Sequence, residues 1–247
     1  MSLSLTSNSA KGYTIHIASS LGGFEQWVDL VKNQTTTTIY RGQRKDYALL
    51  PNICRNKDSL SLLAKERDLI ALFKKKAPQC LQLVPSNDWE WLALAQHHGL
   101  HTRLLDWTQD PYAALWFSLE KASEKDSRPV VWVMRPLKED IIESTDNSRP
   151  FSGTRTKVFS SAFQIPRLKA QKGCFVLFKH IETSQKGFVA LEHNKNLRER
   201  LARVNIKLSV AKTIMLQLNS MGYSRENLFP DIDKIAKAVQ DQVLGKK

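Results

Sequence analysis

Residues 96–111 read Gln-His-His-Gly-Leu-His-Thr-Arg-Leu-Leu-Asp-Trp-Thr-Gln-Asp-Pro, and this stretch decides the fold class. Trp89 to His98 reads as a helix that Gly99 stops, because glycine takes the left-handed C′ conformation without a Cβ penalty. Thr102 to Thr108 follows as a short strand. Asp110 then offers an N-cap carboxylate, and Pro111 a pre-set first residue, for a helix running to Lys121. A helix, a strand and a second helix in so short a run are not the mark of an all-β chain.

Working outward, Tyr13 to Ala18 alternates apolar and polar residues and predicts a strand. Phe24, Trp27, Val28 and Val31 predict an amphipathic helix over roughly 22–33. Thr35 to Thr38 lead into Ile39-Tyr40-Arg41-Gly42, β-branched material for a strand that Gly42 ends. Leu62, Glu66, Leu69, Ile70 and Phe73 mark a helix closed by Lys74-Lys75-Lys76 and Pro78. Pro129 to Met134, Gly173 to Phe178, Gly187 to Leu191 and Val204 to Leu208 predict further strands. Val210, Ile214, Leu218 and Met221 predict a helix closed by Gly222. Ile232, Ile235, Ala236, Val239 and Val243 predict a last helix, capped by Asp231. The order is mixed, so the expected class is α+β: a single domain with a mixed β-sheet core flanked by helices. Residues 1–12 are expected to form a flexible leader and 13–247 the domain, with a polar loop or insertion around 137–163.

The chain has 247 residues, with 37 Lys+Arg against 24 Asp+Glu and a formal net charge of +13. Its 42% hydrophobic and 25% charged residues can build a core, which excludes disordered and collagen-like classes. No run of about 18 apolar residues occurs, so no membrane partner is expected. The Ser- and Thr-rich start lacks the apolar centre of a secretory signal. Cys54, Cys80 and Cys174 are odd in number and form no CxxC, which speaks against a disulfide framework or zinc site and for a reducing, cytoplasmic setting. The basic excess raises the local concentration of polyanions such as nucleic acid.

Three segments hold more reactive side chains than packing needs. In Tyr40-Arg41-Gly42-Gln43 the arginine's planar fork suits a phosphate, while an internal salt bridge is the plainer reading. In Gln96 to Thr108, adjacent His97 and His98 cannot share a helix face, and no HExxH occurs, so no metal is expected. Asp106 near Arg103 or Arg41 makes an ion pair, and Trp107 offers a stacking surface; a buried Arg–Asp network that fixes the loop is the alternative. In Arg167 to Phe175, Gln171 stands at the entrance of an apolar strand beside Gly173. Cys174 has no neighbouring base and reads as a core residue. No nucleophile elbow, Walker loop or GxGxxG is present.

Through these segments the chain resembles the FRG-domain family. The resemblance runs through Tyr40-Arg41-Gly42-Gln43, Leu50-Pro51 with Arg55, Glu66 with Phe73, and Gln96-His97-His98-Gly99 with Thr102 to Thr108. Pro111, Ala114-Leu115 and Phe117 continue it, as do Gln171-x-Gly173-x-Phe175 and Leu228-Phe229-Pro230-Asp231, so that it spans residues 24–240. It implies a protein of bacterial or phage origin. Tyr40-Arg41-Gly42 is also similar to the first motif of ADP-ribosyltransferases, in which a strand arginine holds the cofactor phosphates. Leu104 to Thr108 occupies the place of their second, Ser/Thr-containing motif. Their third motif usually ends in a catalytic Glu, where this chain has Gln171; Glu182 and Glu192 lie nearby in sequence.

That second resemblance implies NAD as the substrate and no metal. Arg41, Asp106 and Gln171 would be catalytic, and Tyr40, Arg41, Gly42, Gln43, His98, Thr102, Arg103, Trp107 and Thr108 would bind the cofactor. Arg41 and Asp106 are then expected in one cleft. The implied function is an ADP-ribosyltransferase-like effector or toxin, as in toxin–antitoxin or phage-defence systems. It would cleave NAD and transfer ADP-ribose to a nucleic acid, RNA favoured, or to a protein, with an antitoxin or regulatory protein as a possible partner. Two alternatives stand beside it: a basic module that binds nucleic acid or nucleotide without turnover, and a scaffold network with no ligand.

Overall fold

The computed structural model describes residues 4–6, 12–32, 37–55, 59–122, 127–142, 149–152, 155–161, 163, 165–179, 188–231 and 239–240. Nine strands among them form one sheet: β1 (Ser4–Thr6), β2 (Thr14–Ala18), β3 (Ile39–Gln43), β4 (Leu104–Thr108), β5 (Val130–Met134), β6 (Ile141–Ile142), β7 (Lys157–Phe159), β8 (Gly173–Leu177) and β9 (Leu201–Ile206). Their order is β1-β2-β9-β5-β3-β4-β8-β7-β6. The β2–β9 and β6–β7 pairs are parallel and the others antiparallel, so the sheet is mixed and the fold is α+β. Seven α-helices accompany it: α1 (Leu21–Val31), α2 (Ser59–Lys76), α3 (Asp88–His97), α4 (Pro111–Leu119), α5 (Pro166–Ala170), α6 (Ala211–Ser220) and α7 (Arg225–Leu228).

Side chains capping the helices fix where they begin. Ser20 accepts from the Gly23 amide at 3.1 Å and Asn87 from the Glu90 amide at 3.0 Å. Asp110 accepts from Tyr112 and Ala113 at 2.9 and 3.3 Å, with Pro111 at the first position, as the sequence predicts.

Strand alternation sorts the core into layers. On one face, Tyr40, Val131, Val133, Ala202 and Val204 pack under α1, α4 and α6. On that same face, Leu104, Phe175 and Leu177 pack under α2 and α3. The opposite face buries Ile39, Leu105, Trp107, Trp132, Cys174 and Val176. Two helix groups thus share one face of the sheet, and a gap remains between them above β3 and β4.

The two strands below that gap barely pair. β3 and β4 share the single register pair Tyr40–Thr108, whereas β3 pairs with β5 along all five of its residues, Ile39 to Gln43. Beyond Tyr40 the strands part. α4 closes on β3 at Gly42, where a Cβ would overlap the Ala114 carbonyl oxygen and stand 2.8 Å from the Ser118 nitrogen. The glycine of Arg41-Gly42 is therefore required by a helix backbone lying on the strand, not by a turn.

Within the expected leader, Ser4–Thr6 forms β1, which hydrogen-bonds to β2. The polar stretch 137–163 carries β6 and β7, whose parallel pairing its composition does not signal. The strand expected at Gly187 to Leu191 is absent: 188–190 have no regular structure and Leu191–His193 is a 3₁₀ turn, while Gly187 lies outside the described residues. The strand expected at Val204 to Leu208 starts three residues earlier, because Arg203 sits in it with its charge paired to Asp46 at 2.6 Å and its guanidinium over Trp132. Most of the expected last helix lies outside the described residues. No helix among those described is long and apolar enough to cross a membrane.

Gly42→Ala tests the helix–strand contact. Forcing a methyl group into a packed backbone interface typically costs about 1–3 kcal/mol. Urea denaturation should place the loss at the upper end of that range, and a variant as stable as the wild type would contradict the close approach of α4.

Candidate functional site

The gap between the helix groups is a cleft of about 320 Å³. Its floor is the parting of β3 and β4, with Tyr40, Arg41, Gly42, Asp106, Trp107 and Thr108, and β8 continues it with Gly173 to Phe175. Its walls are Gln96 and His97 from α3, Phe117 from α4, and Arg167, Leu168 and Gln171 from α5 and its end. A smaller lobe of about 220 Å³ adjoins it, and Arg41, Gln96 and Asp106 line both.

Arg41 owes its position to the strand parting. In an antiparallel ladder a residue's N–H and C=O point to the same neighbour and alternate along the strand. The Gln109 amide donates to Lys172 on the β8 side at 3.0 Å, so Asp106, three residues before it, turns its carbonyl towards β3. No β3 amide meets that carbonyl, and Arg41 Nη1 donates to it instead. Arg41 Nε is buried and has no partner among the described residues. Burial pushes the Arg41 pKa down, the nearby Asp106 charge raises it, and the Arg55 charge lowers it further. Arginine nonetheless keeps its proton, so the cleft holds a poorly solvated cation.

The Asp106 carboxylate is exposed and makes no hydrogen bond or ion pair among the described residues. The expected ion pair with Arg41 is thus a bond to the Asp106 backbone, and the acidic group stays open. Thr108 lines the cleft but is committed, donating to the Gln171 carbonyl at 2.6 Å and accepting from the Asp110 amide at 2.9 Å. Gln171 Nε2 donates to the Leu228 carbonyl at 2.8 Å, tying α7 to the cleft wall. Tyr40 and Gly42 line the floor. Thr102 lines the smaller lobe, donating to Gln96 Oε1 at 2.7 Å.

The remaining expected site residues stand elsewhere. Arg103 lines neither lobe: it is buried, with Nε on Glu66 at 2.5 Å, Nη1 on the Phe178 carbonyl at 2.7 Å and Nη2 on the Pro150 carbonyl at 3.1 Å. The Arg103 amide also donates to Glu66, at 2.7 Å, so all its polarity is spent on holding α2, β4 and β8 together. Gln43 is buried and accepts from Trp132 Nε1 at 3.1 Å. His98 is the exposed cap of α3 and lines neither lobe. Trp107 packs its ring in the core on the face opposite Asp106, so it offers no stacking surface above the floor. Cys174 is buried in that core, which pushes its thiol pKa up and keeps it protonated.

Arg167, His97 and Phe117 line the cleft although the expected site set did not include them. Arg167 has no carboxylate partner among the described residues and lies over the Phe229 ring at 4.5 Å. Its signal was available in the cationic run Arg167-Leu168-Lys169, which names no site until α5 is seen on the rim. Among the described residues no group of three or more His, Cys, Asp or Glu could hold a metal ion.

Residues 36–127 match the family model of the FRG domain. The chain carries an FRG domain. The match spans β3 through α4, the elements on both sides of the strand parting; β8 and α5 complete the cleft from outside it. It is shorter than the 24–240 resemblance read from the sequence. No curated protein and no solved structure matches the chain. Within the matched residues, the Tyr40-Arg41-Gly42 and Leu104-Leu105-Asp106-Trp107-Thr108 segments are the two strands that part, and Glu66 is the buried partner of Arg103.

Burial, the neighbouring His98 and Arg167 push the His97 pKa below the ordinary imidazole value, with Asp106 opposing them. The folded FRG domain therefore favours neutral His97. Its contribution to stability is complete above about pH 6.5 and is lost as pH falls below that value. An NMR titration should give His97 a midpoint under about 6.5 that rises when an anion enters the cleft. A midpoint above it would contradict the cationic surroundings.

Proposed function

We propose that the cleft binds NAD and cleaves its nicotinamide–ribose bond, making the protein an ADP-ribosyltransferase-like effector. The observation that carries this reading is Arg41, a guanidinium with a free buried Nε, set beside the open Asp106 carboxylate in one cleft. A planar fork of this kind grips diphosphate oxygens. When the glycosidic bond breaks, its electron pair leaves on the nicotinamide nitrogen and positive charge develops on the ribose, as in glycoside cleavage. Asp106 supplies the compensating negative charge. The acceptor's lone pair then forms the new bond to the ribose carbon, and its proton passes to Asp106 or water. Arg167 on the rim and the overall charge of +13 favour an anionic acceptor, RNA first.

A second reading, a nucleotide-binding module without turnover, is favoured by one observation. Of the two glutamates near the third motif, Glu192 is buried with both carboxylate oxygens accepting from the Leu49 amide, at 3.2 and 3.1 Å, and Glu182 lies outside the described residues.

Nicotinamide release from labelled NAD, followed with total RNA and with cell protein as acceptors, separates the two. Arg41→Lys and Asp106→Asn should each lower release by about 10²–10³-fold, the scale of losing one preorganised stabilising group; Asp106→Asn should barely change the melting temperature, while Arg41→Lys should lower it because the Asp106 carbonyl loses its donor. The module predicts weaker nucleotide binding in stable variants and no release from any protein. A wild type that never releases nicotinamide refutes the transferase.

A further inference from the structure

Pockets for drug-sized ligands span roughly 300–1,000 Å³; the larger lobe, about 320 Å³, is at the bottom of that range and the smaller, about 220 Å³, is below it, so a dinucleotide calls on both. A ligand of that size must cross the ridge between them, and Arg41 is on that ridge. What waits on the far side is a second arginine. Arg55 ends the 3₁₀ turn Asn52–Arg55, and its Nε and Nη2 both donate to the Leu50 carbonyl at 3.2 Å. That anchorage leaves Nη1 without a partner and the guanidinium without a carboxylate among the described residues. Burial is what mainly disfavours the Arg41 cation; the Arg55 charge adds to it and the Asp106 charge opposes it. Two like charges therefore converge on one small lobe, and the single carboxylate there, Asp106, pairs with neither. The rest of the lining sets the aliphatic Leu50, Ile53, Leu100 and Leu105 beside exposed Asn52 and His101. Arg55 is exposed, with its guanidinium 5.8 Å from the Tyr47 ring centroid, and a phosphate bound between it and Arg41 would neutralise both charges.

We propose that the smaller lobe is a phosphate site in which Arg55 and Arg41 hold the adenylate-side phosphate of a dinucleotide, so that the diphosphate lies across Arg41 and the nicotinamide half occupies the larger lobe. The identity of the far half rests on the NAD reading; the phosphate site itself does not. A phosphate ester could also come from an RNA acceptor, so the test carries both sources.

Binding is measured by calorimetry at low salt, without turnover, for ADP, for adenosine and for a short 5′-phosphorylated oligoribonucleotide. Arg55→Gln retains a donor for the Leu50 carbonyl, and Arg55→Lys retains the charge. The wild type should bind ADP, Arg55→Gln should weaken it at least tenfold, and Arg55→Lys should recover part of the loss. Adenosine and oligonucleotide binding should not change with Arg55→Gln. The proposal is overturned if the wild type does not bind ADP, if Arg55→Gln binds it as the wild type does, or if adenosine loses as much. It is also overturned if the oligonucleotide weakens as much as ADP, because the lobe then belongs to the acceptor. Absence of nicotinamide release would defeat the NAD reading and leave the ADP titration to decide this one.

Discussion

The bond from the Arg41 guanidinium to the Asp106 carbonyl stands where a backbone ladder should continue. Between β3 and β4 the sheet keeps one register pair and then opens, so a carbonyl aimed at the neighbouring strand has no amide to receive. Arg41 satisfies it with one of its donors and keeps the others at the opening. Structure and chemistry thus depend on the same residue. The sheet tolerates the break because a side chain replaces the missing hydrogen bond, and the cleft has a cation because that side chain must be an arginine to reach and still bind.

Two further contacts hold the opening in shape. Gly42 lets α4 lie against β3 on one side. On the other, the buried Arg103–Glu66 pair, with carbonyls of Phe178 and Pro150 completing the guanidinium, locks the start of β4 to α2. Breaking such a pair from one side typically costs about 3–5 kcal/mol, since the remaining charge stays buried. The two arginines of the paired motifs therefore do different work. Arg103 is spent on the scaffold, whereas Arg41 is left with unused donors at the cleft.

Much of this was legible in the sequence. The cap Asp110, the alternation of β2 and the apolar run of β5 carry their own local signals, and local signals survive into the fold. The co-location of Arg41 and Asp106 could be read from the motifs, but its form could not. Which arginine is fully paired depends on Glu66, and Trp107 faces the core rather than the cleft because of strand parity about the Tyr40–Thr108 pair. Those facts arise from long-range register, to which composition and spacing are blind. The missed strands β6 and β7 are only two and three residues long, apolar islands in a polar stretch, too short to show a period of their own. Arg167 escaped notice for the same reason: α5 is one short turn, and only its seat on the cleft rim gives its cation a role.

The central claim is that the parting of β3 and β4 is where ligand binds. Amide chemical-shift mapping with ADP-ribose, which carries the diphosphate but cannot turn over, tests it most directly. The account predicts perturbations concentrated at Tyr40 to Gly42, Gln96 to His97, Asp106 to Thr108 and Gln171 to Cys174. Shifts gathered instead around the separate cavity beside Asp46 and Arg203, with these amides unmoved, would contradict it.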